Sequence, residues 1–241
     1  MKKQTHVLDV PPPAAPFEGF TADTFKFLHG LKKNNNKPWF DKHRADYEEH
    51  LREPCRLLVG VMAEHIAEDK LPLIADPRRS LFRINRDIRF SMDKSPYKTH
   101  IGIVFPVKDM GQDEWTGMYL GMEPASGAGK MSAFVGGGAH QPMPPFLKKI
   151  REKLATNYGD LRKALADKNF KKHYPKGLAG ESLTRAPKGY EEDHPAIDLL
   201  KLKSFEFGQE LTKEQLMKAD LPKLLTEKFK AGMAVLEFFK I

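Results

Sequence analysis

The densest chemistry in the chain lies in RRSLFRINRDIRFSMDKSPYKTH, from Arg78 to His100. Five of the eleven arginines fall between Arg78 and Arg89, and Lys94, Lys98 and His100 follow; within the stretch only Asp87 and Asp93 offset them. A guanidinium is planar and presents paired N–H donors that match two oxygens of a phosphate or carboxylate, a geometry an ammonium does not offer. Arg83, Arg86, Arg89, Lys94, Tyr97 and Lys98 are therefore the candidate residues of an anion-binding site. His100 is the group beside them whose ordinary pKa lies near neutrality, which makes it the candidate for proton transfer.

The same arginines have a structural explanation. Asp87, Asp93 and Asp198 can pair with Arg83, Arg86 and Arg89 in an internal network that fixes packing and binds nothing. Such a network need not stabilise the fold, because desolvation can cancel the attraction. Both readings stand at this stage. A second anion candidate is VGGGAHQPMPPF, where amides of Gly137 and Gly138 precede a helix expected to start near Pro144 or Pro145. A tight strand exit that only glycine fits explains the same residues without a ligand. The spacing matches neither a phosphate-binding loop nor a dinucleotide fingerprint. His194 and Asp198 stand four apart, but no third ligand completes a metal set, so neither metal nor cofactor is expected. The common hydrolase signatures are missing.

The elements that must position these groups are legible from periodicity. GFTADTFKFLHGLKK reads as a first helix, capped by Thr21, with Asp23 in its first turn and Phe25, Leu28 and Leu31 on its apolar stripe. A second helical pattern starts at KPWF and continues to His65, with a kink or a junction of two helices expected at Pro54. The centre changes period. THIGIVFPV, TGMYLGM and KMSAFVGGG alternate as strands of an antiparallel meander. LFRINRDIRF also alternates, which predicts a strand with Phe82, Ile84, Ile88 and Phe90 towards the core and Arg83, Asn85, Asp87 and Arg89 on the other face. Arg86 intrudes among the apolar residues and should be the most constrained arginine. Helical stripes return at Phe146–Leu154, Leu161–Leu165 and Leu221–Phe239. The expected fold is α+β: a central, mainly antiparallel sheet flanked by N- and C-terminal helices. Residues 1–16 read as a flexible tail and 17–241 as a single domain.

FRINRDIRFSMDKSPYKTH resembles the signature of a bacterial family of uncharacterised proteins, the domain-of-unknown-function family 2461. That signature is an R-x-x-R-D-x-R-F core followed by D-K and P-Y-K-T-H. The matching positions are Arg83, Arg86, Asp87, Arg89, Phe90, Asp93, Lys94, Pro96, Tyr97, Lys98, Thr99 and His100. The likeness runs from Phe20 onward and takes in NNNKPWF, the three glycines and DHPAIDLLKLKSF. It implies where a site lies. It implies no chemistry, because the family has no established activity.

Charge narrows the partners. Residues 76–100 carry seven Lys and Arg against three Asp and Glu, whereas residues 1–75 balance at eleven each. The C-terminal excess, twenty against fourteen, is Lys spread along amphipathic helices and reads as a solvated face. A small anionic ligand is the expected partner. A nucleic acid is one alternative, favoured by a pI near 9.3 but opposed by the expectation that both Phe rings of the Arg segment face the core; a non-catalytic interaction protein whose Arg cluster is a structural salt-bridge network is the other. No apolar run approaches the ~18 residues that span a bilayer. A single cysteine, Cys55, permits no internal disulfide, and a cytoplasmic location is expected.

Overall fold

A computed structural model describes residues 15–111, 114–126 and 130–241; most of the expected tail, residues 1–14, lies outside it. The chain is α+β, with a five-stranded antiparallel sheet and helices towards both ends of the sequence. Helices α1 (Ala22–Lys33), α2 (Lys37–Lys42), α3 (Arg44–Tyr47) and α4 (Glu53–Glu68) come first. Strands β1 (Ile101–Pro106), β2 (Gly117–Pro124) and β3 (Met131–Ala139) follow, then α5 (Pro144–Ala166), α6 (Lys168–His173) and β4 (Leu178–Ala179). The chain closes with α7 (Ile197–Leu200), β5 (Phe205–Leu211), α8 (Lys213–Leu216) and α9 (Leu221–Phe238). The strand order is β1-β2-β3-β5-β4. The first three strands form the expected meander, and β4 pairs antiparallel with β5, Leu178 opposite Phe207.

Two compact units make up the chain. The first comprises residues up to Val104, with Gly121–Ala133 and Leu211–Thr226; the second comprises Phe105–Leu120, Phe134–Glu210 and Glu227–Ile241. Neither is one stretch of chain, since β1, β2 and β3 each contribute residues to both.

In the first unit, Thr21 caps α1 in a reciprocal capping box with Thr24, and Phe25, Leu28 and Leu31 are buried as their spacing requires. Pro54 has the expected consequence in a specific form. A π-helical turn, Glu48–Arg52, joins α3 to α4. Proline cannot donate to the carbonyl four residues earlier, His50, and that carbonyl instead accepts the buried Thr24 hydroxyl at 2.7 Å. In the second unit, α5 carries both expected stripes on one helix bent at Asn157. Phe170 and Tyr174 each pack edge to face with Phe207, and Phe105 does the same with Phe229. No helix among the described residues is long and apolar enough to cross a membrane.

Two expectations fail. LFRINRDIRF is not a strand: it has only isolated bridges, Leu81 to Ile103 and Asn85 to Tyr97. Phe82 is 43% exposed and Phe90 95% exposed, so neither belongs to the core; Ile84 does. Conversely β5, which pairs with β3, lies in SFEFGQEL, a stretch to which the sequence pattern assigned no element.

Candidate functional site

The Arg segment is held by its own side chains. Asp76 starts it with a tight turn, accepting the Arg78 amide on its carboxylate at 2.8 Å and the Arg79 and Ser80 amides on its carbonyl. Phe82 then donates to Gly102 and Ser80 accepts from Val104, which lays residues 80–82 along β1. From Ile84 the chain folds back on itself. The Arg86 amide donates to Pro96 at 2.9 Å and the Lys98 amide to Ile84 at 2.7 Å, closing a narrow finger.

Side chains replace the ladder beyond that point. Asp87 accepts the Arg89 amide, Asp93 accepts the Ser95 amide at 2.9 Å, and Pro96 has no amide to give. Each Asp therefore makes a local turn where a strand would need a cross-strand bond. This is the physical reason the alternation produced no strand.

The base of the finger is anchored by Tyr97. Its ring is buried and stacked on Phe40, centroids 4.1 Å apart, within a cluster that includes Phe27, Trp39 and Tyr47. Asn35 grips its backbone twice: the side-chain oxygen accepts the Tyr97 amide at 3.1 Å and the side-chain nitrogen donates to the Tyr97 carbonyl at 2.9 Å. Tyr97, a ligand candidate by sequence, has its ring buried and its backbone held by Asn35, a partner that the spacing does not show. The available signal was a polar Asn just after α1 and just before the aromatic run that receives the ring.

The three later arginines, Arg83, Arg86 and Arg89, divide into two classes. Arg89 forms a two-pronged fork with Asp87, at 3.0 and 2.7 Å. Arg86 pairs with Asp93, which also accepts the Ser95 hydroxyl at 2.6 Å. Hydrogen bonds from Ser95 first, and then from Arg86, hold the Asp93 carboxyl well below its usual range; the Arg89 fork also lowers that of Asp87. Lys94 donates to the Ile88 carbonyl. Among the described residues, however, Arg83 and Lys98 have no carboxylate partner. Partial burial and then the neighbouring Arg83 charge lower the Lys98 pKa. Burial and then the Lys98 charge lower that of His100, with Glu123 opposing. Arg83 thus stands near Lys98 and Lys98 near His100, with neither cation matched by a carboxylate and the imidazole kept neutral.

The remaining candidates lie elsewhere, in the second unit. Asp198 accepts from Arg162 at 2.8 Å rather than from any arginine of the segment. The His194 Nδ1 accepts the Ala196 amide while Nε2 faces the Ala155 carbonyl at 3.3 Å, so its ring closes a local turn. Gly137 and Gly138 sit inside β3, not in a turn ahead of α5. Gly138 has φ +128°, and a Cβ there would run into the Phe205 carbonyl; one on Gly137 would meet Met118 Sδ at 2.6 Å and the Gly117 carbonyl at 2.8 Å. Close backbone approach accounts for these glycines. Among the described residues no group of acids, histidines and cysteines is arranged to hold a metal ion.

A family model described as Conserved hypothetical protein (DUF2461) matches residues 23–238. No curated protein matches, and no solved structure does.

Proposed function

From the premise that the chain belongs to the conserved hypothetical protein family DUF2461, whose description names no activity, we propose that it binds a small anionic ligand, phosphate- or carboxylate-bearing, through Arg83, Lys98 and His100. The supporting observation is the division of the cations. A network built only for packing would give every guanidinium a carboxylate. Arg79 has Asp76, Arg86 has Asp93 and Arg89 has Asp87, while Arg78, exposed in the turn ahead of the finger, has none among the described residues. Within the finger Arg83 and Lys98 have none either, although burial and mutual repulsion already disfavour the Lys98 charge. An anion arriving between them relieves that repulsion and gains charge-assisted hydrogen bonds. Arg86 and Arg89, with Asp93 and Asp87, then act as the frame of the finger rather than as ligands. His100 is the group we assign to proton movement should the bound anion react. Its lowered pKa leaves it neutral at neutral pH, able to charge as an anion binds. A cytoplasmic setting belongs to the same reading, since the single cysteine, Cys55, is buried with its thiol pKa pushed up by that burial and is suited neither to a disulfide nor to reactivity.

Calorimetric titration with sulfate at low ionic strength tests this, because sulfate keeps its charge across the histidine range. Binding should tighten from about pH 7.5 to about pH 5.5 as His100 is driven towards protonation. Replacing Arg83 or Lys98 with Ala should weaken it by about ten-fold or more, in line with the loss of one charge-assisted hydrogen bond. Arg89→Ala should leave it nearly unchanged. Parent-like binding by Arg83→Ala and Lys98→Ala would sink the assignment.

A further inference from the structure

The rings beside the unpaired cations specify the ligand further. Phe82 immediately precedes Arg83; its ring stays 43% exposed and lies 5.0 Å from the Lys98 ammonium. At the tip of the finger Phe90 is 95% exposed with the Arg89 guanidinium 5.8 Å from its ring centre, and Met92 is fully exposed. Of the seven large apolar side chains exposed among the described residues, three belong to this one segment. A patch serving simple anions needs the cations and gains nothing from phenyl rings held in water. An aromatic face next to a guanidinium and an ammonium suits a different ligand: a planar ring stacks on the face while its attached phosphate meets the cations. The sequence-level objection to such a ligand was that both Phe rings would turn inward. The Asp turns of the finger remove that objection.

We propose, resting on the anion site of the preceding section, that its ligand is a phosphate joined to a planar heterocycle: a nucleotide, either free or as one unit of a single strand. The phosphate meets Arg83 and Lys98, and the base stacks on the open part of Phe82. Phe90 and Met92 form a second apolar platform at the tip, which a strand engages and a lone nucleotide does not. Duplexes are disfavoured as ligands because their bases are already stacked on one another.

Titrations with inorganic phosphate, ribose phosphate, adenosine monophosphate and a thymidine oligonucleotide of about eight units, a length within single-strand site sizes, separate the possibilities. Adenosine monophosphate should bind at least about 5-fold tighter than ribose phosphate, the lower end of base–aromatic stacking. Phe82→Leu, which keeps apolar bulk without a ring face, should abolish that gain while weakening inorganic phosphate far less than Lys98→Ala does. An oligonucleotide that binds tighter than the monophosphate and is weakened by Phe90→Ser identifies the strand as the source. Equal affinities, indifferent to Phe90→Ser, identify the free nucleotide. If adenosine monophosphate gains nothing over ribose phosphate while inorganic phosphate still depends on Arg83, the base-stacking proposal is overturned and the anion site stands. If inorganic phosphate does not bind either, the anion site itself falls.

Discussion

Strand β3 and the Arg finger carry the same signal in the sequence, side chains alternating with period two, yet one is a strand and the other is not. In β3 the glycines strip away the Cβ atoms that would collide with the Phe205 and Gly117 carbonyls, so backbones approach closely. In the finger, Asp87 and Asp93 take amides onto their own carboxylates, and Pro96 offers none. Alternation reports which side chains would share a face if a ladder formed. Whether it forms depends on the competitors for each amide. The difference also sorts the two anion candidates: glycines consumed by strand packing leave no nest, whereas a finger held by its aspartates leaves two cations unmatched.

The comparison predicts its own extremes. Gly138→Val should be the most damaging single change, since it adds a branched side chain at positive φ and drives a Cβ into the Phe205 carbonyl. A loss of at least about 3 kcal/mol is expected, visible as a large drop in thermal midpoint. A parent-like melt would show that β3 and β5 do not approach as described. The finger should be more forgiving. Asn35→Ala removes both hydrogen bonds to the Tyr97 backbone and leaves a partly buried amide and carbonyl unsatisfied, at a cost of about 1–3 kcal/mol. Because Tyr97 positions Lys98, sulfate binding should weaken in the same variant even where it remains folded. Unaltered sulfate affinity would uncouple the anchor from the site.

Much of this was written plainly in the sequence. Thr21, Pro54, Pro144 and the stripes of α1, α5 and α9 announce themselves because capping and 3.6-residue periodicity are local properties. The meander was legible for the same reason. The finger was not, since Arg89 and Ser95 amides had to be weighed between a distant strand and an aspartate two residues away. Strand β5 was missed because SFEFGQEL finds its partner β3 only across a long connection. Position within the site was harder still. Nothing in the spacing shows that Asp87 matches Arg89 and Asp93 matches Arg86, so that of these three arginines Arg83 is left without a carboxylate. Burial of Tyr97 depended on Phe40, 57 residues earlier in the chain.

The smallest effect sharpens the contrast most. Asp93 and Arg86 keep 59% and 25% of their side-chain surface in water, so solvent screens the pair and its removal should leave the global melt almost unchanged at neutral pH. Its signature is protonic. The folded Asp93 carboxyl lies below its ordinary value, so the unfolded chain takes up that proton first as the pH falls. The clasp between Arg86, Asp93 and Ser95 therefore contributes fully above the unfolded carboxylate value of about 3.9. Its contribution fades below that, as pH descends through the lowered folded value. A carbon-detected NMR titration should find Asp93 still ionised at about pH 3, where an unperturbed aspartate is mostly protonated. In Arg86→Ala the midpoint should move upward but not all the way, because the Ser95 hydroxyl and amide remain and are the larger of the influences. An ordinary midpoint in the parent would mean that the clasp does not form in solution. The finger would then have lost the interaction that distinguishes it from a failed strand.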